Sequence, residues 1–352
     1  MMRRFTILIA LLTAPLDLLA VSVTSVGPMT VARDGATATL LPDGTVLIAG
    51  GVDAAPGTPR QEEIYDPHAR SFRATAGMEV QRVGHAAAAL QDGRILLVGG
   101  FGSGTANSEI YDPAAVHFSN MVSISGERYQ PSAAALADGR VLVAGGKRSS
   151  TRIATAEIFI PTSGGWATTG SMHQARSHFA AVRLNDGKVL VAGGGISLND
   201  TAELFDPATG IFTPLGNISI SPQHGVLLPN GKVVLIGVGQ ILIFDPSTRT
   251  FRQSGVLLKT FTGEAVALLQ NGSVLIAGGG DISSASADVL VYSPETDTLN
   301  KVGTLSVGRS GATATLLPDG TVLVAGGFSP GPVTSAAAEI VDLRPRSRAV
   351  HH

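Results

Sequence analysis

Residues 43–51, Asp43-Gly44-Thr45-Val46-Leu47-Ile48-Ala49-Gly50-Gly51, join a turn dipeptide, an apolar run and a glycine pair, and that succession decides the fold. Asp-Gly tolerates the positive φ angles of a two-residue hairpin turn, so the stretch reads as a turn and the strand that follows it. The dipeptide returns as Asp92-Gly93, Asp138-Gly139, Asp186-Gly187, Asn230-Gly231, Asn271-Gly272 and Asp319-Gly320, at spacings of 49, 46, 48, 44, 41 and 48 residues. The glycine pair returns as Gly99-Gly100, Gly145-Gly146, Gly193-Gly194, Gly278-Gly279 and Gly326-Gly327, with Gly237-Val238-Gly239 in the fifth copy. The apolar runs between them do not alternate with polar residues, as expected of strands buried on both faces.

A third strand follows each glycine pair, as in Glu63-Ile64-Tyr65-Asp66-Pro67 and Glu109-Ile110-Tyr111-Asp112-Pro113. Proline cannot donate to a ladder and marks where that strand stops. Seven residues beyond its aromatic position stands another large side chain, Phe72, Phe118, Trp166, Phe212, Phe251 or Leu299, which opens a fourth strand. Seven units of four antiparallel strands predict an all-β fold, a seven-bladed β-propeller. The seventh unit runs out before its fourth strand. Counting back from Arg33 in the register of the other copies lands on Val23, so residues 21–26 are predicted to supply the missing strand and close the ring.

The double glycine, the spaced aromatics and the period together resemble the kelch repeat, over residues 21–343. The resemblance implies a propeller like the central domain of galactose oxidase. It does not carry that family's copper site, which needs a Cys cross-linked to a Tyr, a Tyr-His dipeptide and a further His. This chain has no Cys, and its tyrosines, Tyr65, Tyr111, Tyr129 and Tyr292, are never followed by His. No cofactor and no metal site are expected on that basis.

Composition narrows the rest. A formal net charge of −2 without a basic stripe disfavours nucleic acid as a partner. The absence of Cys removes disulfides, thiolate metal sites and a Cys nucleophile. Residues 1–20 combine Arg3 and Arg4 with an apolar stretch from Phe5 to Leu12 and end Leu18-Leu19-Ala20, the pattern of an export signal too short to span a bilayer. The chain is therefore read as a signal peptide (1–20), a propeller (21–343) and a basic tail (344–352), secreted or periplasmic, or held at the cell surface, and monomeric.

Loops between the second and third strands, and between one unit and the next, are irregular, so their face of the ring is the expected binding surface. Ten residues before the hairpin Asp stands Arg33, Arg82, Arg128, Arg176 or Arg309, and strand three opens with Glu63, Glu109, Glu157, Glu203 or Glu339. Such a ring of guanidinium groups could grip carboxylates or sulfated sugars. Copies five and six lose both partners together, with Ile220 and Phe261 in place of Arg and Leu242 and Leu290 in place of Glu, which points instead to structural ion pairs. His85, His178, Gln223, His224 and Glu264 stand near the same level, with Arg82, Arg128 and Tyr129 nearby, and form the candidate ligand set. No catalytic constellation stands out. The function expected is that of a non-enzymatic binding module for an extracellular protein or glycan; the alternatives are a propeller-fold hydrolase or oxidoreductase without radical copper, and a structural domain of a surface assembly.

Overall fold

The computed structural model describes residues 21–52, 61–102, 104, 106–195, 200–258, 262–281, 283–331 and 333–344. The proposed export signal, Phe261 and the tail beyond residue 344 lie outside them. Within them the chain forms seven four-stranded antiparallel sheets and no helix. The innermost strands of successive blades touch around the whole ring, including the last with the first.

Blade 1 shows the unit: Asp34–Leu40 pairs with Val46–Val52, which pairs with Glu63–Asp66, which pairs with Ser71–Ala74. The second strand of every blade is buried on both faces; Val46, Leu47 and Ile48 are at most 1% exposed, and Val189, Leu190 and Val191 are fully covered. This is why these runs lack alternation. Seven hydrophobic clusters form among the described residues, one at each blade–blade interface, so the core is a ring of seams. In each of the first five blades the aromatic pair predicted seven residues apart packs across strands three and four, with ring centroids 4.7–5.2 Å apart.

Ser22–Ser25 closes the ring. It pairs antiparallel with Ala338–Asp342, with Val23 opposite Val341 and Thr24 opposite Ile340. Without it, blade 7 would end in a bare edge beside blade 1.

The hairpin turns differ from the expectation. Gly44 N–H bonds the Leu41 carbonyl at 3.0 Å and Leu41 N–H bonds that of Thr45 at 2.8 Å, and the same pair of bonds recurs in all seven blades. Only the glycine takes positive φ (84° at Gly44), while Asp43 does not. The turn is thus a type I turn followed by a left-handed glycine rather than a two-residue type I′ turn. The Asp43 carboxylate accepts the Thr45 N–H two residues on, at 3.0 Å, which ties the aspartate into a local turn of its own.

The glycine pairs are places of close approach. A Cβ on Gly99 or Gly145 would stand 2.5 Å from the carbonyl oxygen of Arg128 or Arg176 in the next blade, and both glycines have positive φ. The second glycine donates its N–H to that same carbonyl, at 2.7 Å in both cases.

Candidate functional site

At the mouth of the central channel, on the face of the irregular loops, the first residues of all seven innermost strands surround a cavity of about 500 Å³. Its walls are mostly small: Gly35, Gly84, Gly263 and Gly311, with Ala36, Ala87 and Ala312. Small residues there leave the room, and left-handed φ at Gly35, Gly84, Gln130, His178, Gly263 and Gly311 lets the chain turn inward. Backbone bonds run between these positions in adjacent blades: Gly84 N–H to Gly35 O, Gln130 N–H to Gly84 O, His178 N–H to Gln130 O and Gly311 N–H to Gly263 O, at 2.8–3.0 Å.

The candidate residues separate into two sets. Arg82, Arg128, Arg176 and Arg309 are fully buried, and Arg33 is nearly so. Arg82 meets Glu109 at 3.1 Å, Arg128 meets Glu157 at 2.6 Å, Arg176 meets Glu203 at 3.0 Å, and Arg309 pairs with Glu339. Arg33 pairs with Glu62 at 3.2 Å and Glu63 at 3.5 Å; Glu62 is a partner that the repeat pattern did not reveal. Each guanidinium also donates to carbonyls of its own blade, such as Arg82 to Gly99 at 3.0 Å. The glutamates in turn accept backbone N–H bonds from the chain entering the blade, Glu109 from Glu79 and Val80. Burial lowers the pKa of Arg82, Arg128, Arg176 and Arg309 and their glutamate partners raise it again. This set clamps blades 1, 2, 3, 4 and 7 to their incoming linkers.

The second set faces the cavity: His85, His178, Gln223, His224 and Glu264 all line it. Tyr129 lies on its rim, with a ring carbon 2.6 Å from where a Cβ on Gly84 would stand, and edge-on to the exposed Phe101 at 6.2 Å between centroids. His85 bonds Thr37 of the neighbouring blade through Nε2 at 2.9 Å, and its Nδ1 is buried without a partner. Burial, with Arg82 nearby, holds the His85 pKa down to about 3. Burial and the neighbouring His178 hold that of His224 at about 4, and burial with Lys147 lowers that of His178. All three imidazoles are therefore neutral at pH 7.

Glu264 behaves oppositely. It is 6% exposed and opens the innermost strand of blade 6, Glu264–Leu268. Apart from its own backbone N–H, no hydrogen bond or ion pair reaches its carboxyl among the described residues. Desolvation raises its pKa to about 7. Blade 6 has no clamp arginine among the described residues, so only Glu264's own backbone N–H offsets the burial.

Sequence reasoning missed Thr37, Gln130 and Ser132 on the cavity wall. Their register at the start of an innermost strand was the signal that could have found them. It also missed Asp34, whose pKa burial raises and whose carboxylate oxygen would lie 2.3 Å from a Cβ on Gly311.

No family model matches the chain. No curated protein matches it either. Among solved structures the fold is similar to that of a fungal alcohol oxidase of the AA5 family in complex with copper, with a TM-score of 0.75 and 17% identity over 91% of this chain and 76% of that one. The propeller is thus of the galactose oxidase-like kind. The likeness corrects the expectation of a non-enzymatic binding module, because the protein sharing this architecture over most of its length is an enzyme.

The donor set does not fit that protein's copper. The chain has no Cys. Tyr65, Tyr111 and Tyr292 are buried in strand three of their blades. Among the described residues no group of three or more His, Cys, Asp or Glu side chains is placed to hold a metal ion. Nor is any described helix long and apolar enough to cross a membrane.

Proposed function

We propose that the chain is an enzyme that transfers a proton to or from a small substrate in the central cavity, with Glu264 as the acid–base group. The observation that carries this is an unpaired carboxyl, buried on a cavity wall and poised to titrate at about 7. A general acid or base is most effective when its pKa lies near the working pH, and such groups cluster at functional sites. The neutral imidazoles of His85, His178 and His224, with Gln130, Ser132 and Gln223, supply hydrogen bonds that orient a substrate without adding charge. Hydrolysis by general acid–base catalysis needs nothing beyond these groups and water.

Oxidation of an alcohol is the second reading, favoured by the alcohol oxidase that shares the fold. The two part on whether an electron acceptor is consumed. A panel of chromogenic glycosides and esters, run beside alcohols with a redox dye, separates them. In either case Glu264→Gln should cut turnover about 10²–10⁴-fold with the fold retained, and the wild-type rate should change through pH 7. Full activity in Glu264→Gln, or a Glu264 carboxyl titrating at an ordinary value by difference infrared spectroscopy, overturns the reading. Residues 1–20 fit export, which would place this enzyme outside the cytoplasm; N-terminal sequencing of the mature protein tests that placement.

A further inference from the structure

On the opposite face of the ring, the seam where the N-terminal strand meets blades 7 and 1 encloses a cavity of about 270 Å³. We infer that this cavity binds a small, neutral, hydroxyl-bearing molecule that ties the closing strand to both blades.

The argument begins with one hydroxyl. Tyr65 is fully buried, lines the cavity, and its Oη has no hydrogen-bond partner. The repeat supplies its own controls. In blade 2 the equivalent Tyr111 hydroxyl pairs with Thr75 Oγ1 at 3.0 Å, and in blade 6 Tyr292 donates to Asp297 Oδ1 at 2.6 Å. In blades 3, 4 and 5 the position is Phe159, Phe205 or Phe244, which asks for no partner. Tyrosine therefore stands with a partner in two blades, phenylalanine stands where none is needed, and only Tyr65 among these has a hydroxyl and no acceptor. A buried hydroxyl left unsatisfied costs about 1–3 kcal/mol, so a partner that is not part of the chain accounts for it.

The surroundings specify that partner. Ser22 and Thr24 bring two further hydroxyls from the closing strand. The lining charges balance, Arg70 and Arg344 against Asp319 and Asp342, and Arg344 is bound to Asp342 at 2.8 Å and to Asp319 at 3.6 Å, so no net charge selects a charged ligand. The hydroxyls of Tyr65, Ser22 and Thr24, beside a fourth on Thr321 already bound to Asp319 at 2.7 Å, around a charge-balanced cavity suit a neutral molecule that both donates and accepts, such as a short polyol. Bound there, it would touch the N-terminal strand, blade 7 and blade 1 at once, and would stabilise ring closure by mass action.

The test uses full-length ¹⁵N-labelled protein titrated with glycerol and with myo-inositol, reading the amides of Ser22–Ser25. Saturable shifts are expected for at least one polyol, with affinity about 3–10-fold weaker in Tyr65→Phe, the loss of one hydrogen bond. Thr24→Val, an exposed site, should weaken it as well. Linear shifts identical in all three proteins would mean a general solvent effect and overturn the proposal. So would saturable shifts indifferent to Tyr65→Phe, or the absence of shifts, which would leave an ordered water only at the hydroxyl. The outcome is independent of Glu264 and its cavity.

Discussion

At the level of the channel mouth, blade 2 holds Arg82 against Glu109, while blade 5 holds Ile220 and Leu242 in one apolar cluster. Both arrangements fill the same space between a blade and its incoming linker. The ionic version ties each guanidinium to blade carbonyls and a glutamate, as Arg128 is tied to Gly145, Thr155 and Glu157, with the Nε of Arg33, Arg128 and Arg176 left over, and it needs the glutamate, because a buried charge without its counter-charge is costly. The apolar version needs only volume. The difference also bears on Glu264, which comes from blade 6, where no clamp arginine stands among the described residues, whereas His85 and His178 come from clamped blades. A carboxyl such as Glu264 would be neutralised by an arginine in a clamped blade. In blade 6 it stays unpaired, and its pKa rises.

The comparison breaks first at the clamp. Arg82→Ala leaves Glu109 buried and unmatched, and should lower stability by about 3–5 kcal/mol, seen as a large drop in melting temperature. The paired replacement Arg82→Leu with Glu109→Leu, which imitates blade 5, should recover much of that loss. An unchanged melt in Arg82→Ala would show that the guanidinium is not structural.

Glu264 gives the next effect, and its sign is opposite. A carboxyl raised from 4.5 to about 7 binds its proton more tightly in the folded state, so its neutral form stabilises the fold below pH 4.5 and that contribution is lost as pH rises to 7. Glu264→Gln should therefore melt higher than wild type above pH 7, by up to about 3 kcal/mol, and match it below pH 4.5. The lowered values of His85 and His224 act in the other direction. Their folded states resist protonation, so their contribution is complete above pH 6.5 and falls away as pH drops toward 4 and 3.

Gly50→Ala probes the close contact between blades. Its Cβ would meet His85 Cε1 at 2.5 Å and the Arg82 carbonyl at 2.6 Å, at a φ of +66°. A loss of about 1–3 kcal/mol is expected, measurable by urea unfolding. The smallest effect belongs to Tyr111→Phe, which forfeits the Thr75 bond and should cost about 1 kcal/mol. Tyr65→Phe in polyol-free protein removes an unsatisfied hydroxyl and should cost nothing or stabilise, by up to about 1–3 kcal/mol, and equal losses in the two variants would erase the distinction drawn between them.

Most of the architecture was legible because the repeat states it seven times. Asp-Gly turns, glycine pairs and aromatics seven residues apart each have a local cause, and the register from Arg33 back to Val23 located the closing strand. The joint absence of Arg and Glu in the fifth and sixth copies foretold the ion pairs. The pKa of Glu264 was not legible, because desolvation depends on which side chains from seven blades converge on it. The same holds for Glu62 beside Arg33 and for Thr37 against His85, contacts between segments that no spacing links. The turn type was misjudged since Asp-Gly serves two geometries, and the φ of Asp43 with the Gly44 to Leu41 bond separates them.

The pairing of Val23 with Val341 has a consequence for synthesis. The closing strand leaves the ribosome before any of the seven blades, yet its partner emerges only after blades 1 to 6. Blades 1 to 6 can assemble as they are made, while this segment waits unpaired beside a growing arc. Completion is a single late event that joins the first and last strands of the propeller, and a nascent chain stalled before Ala338 would retain six sheets but never a circle.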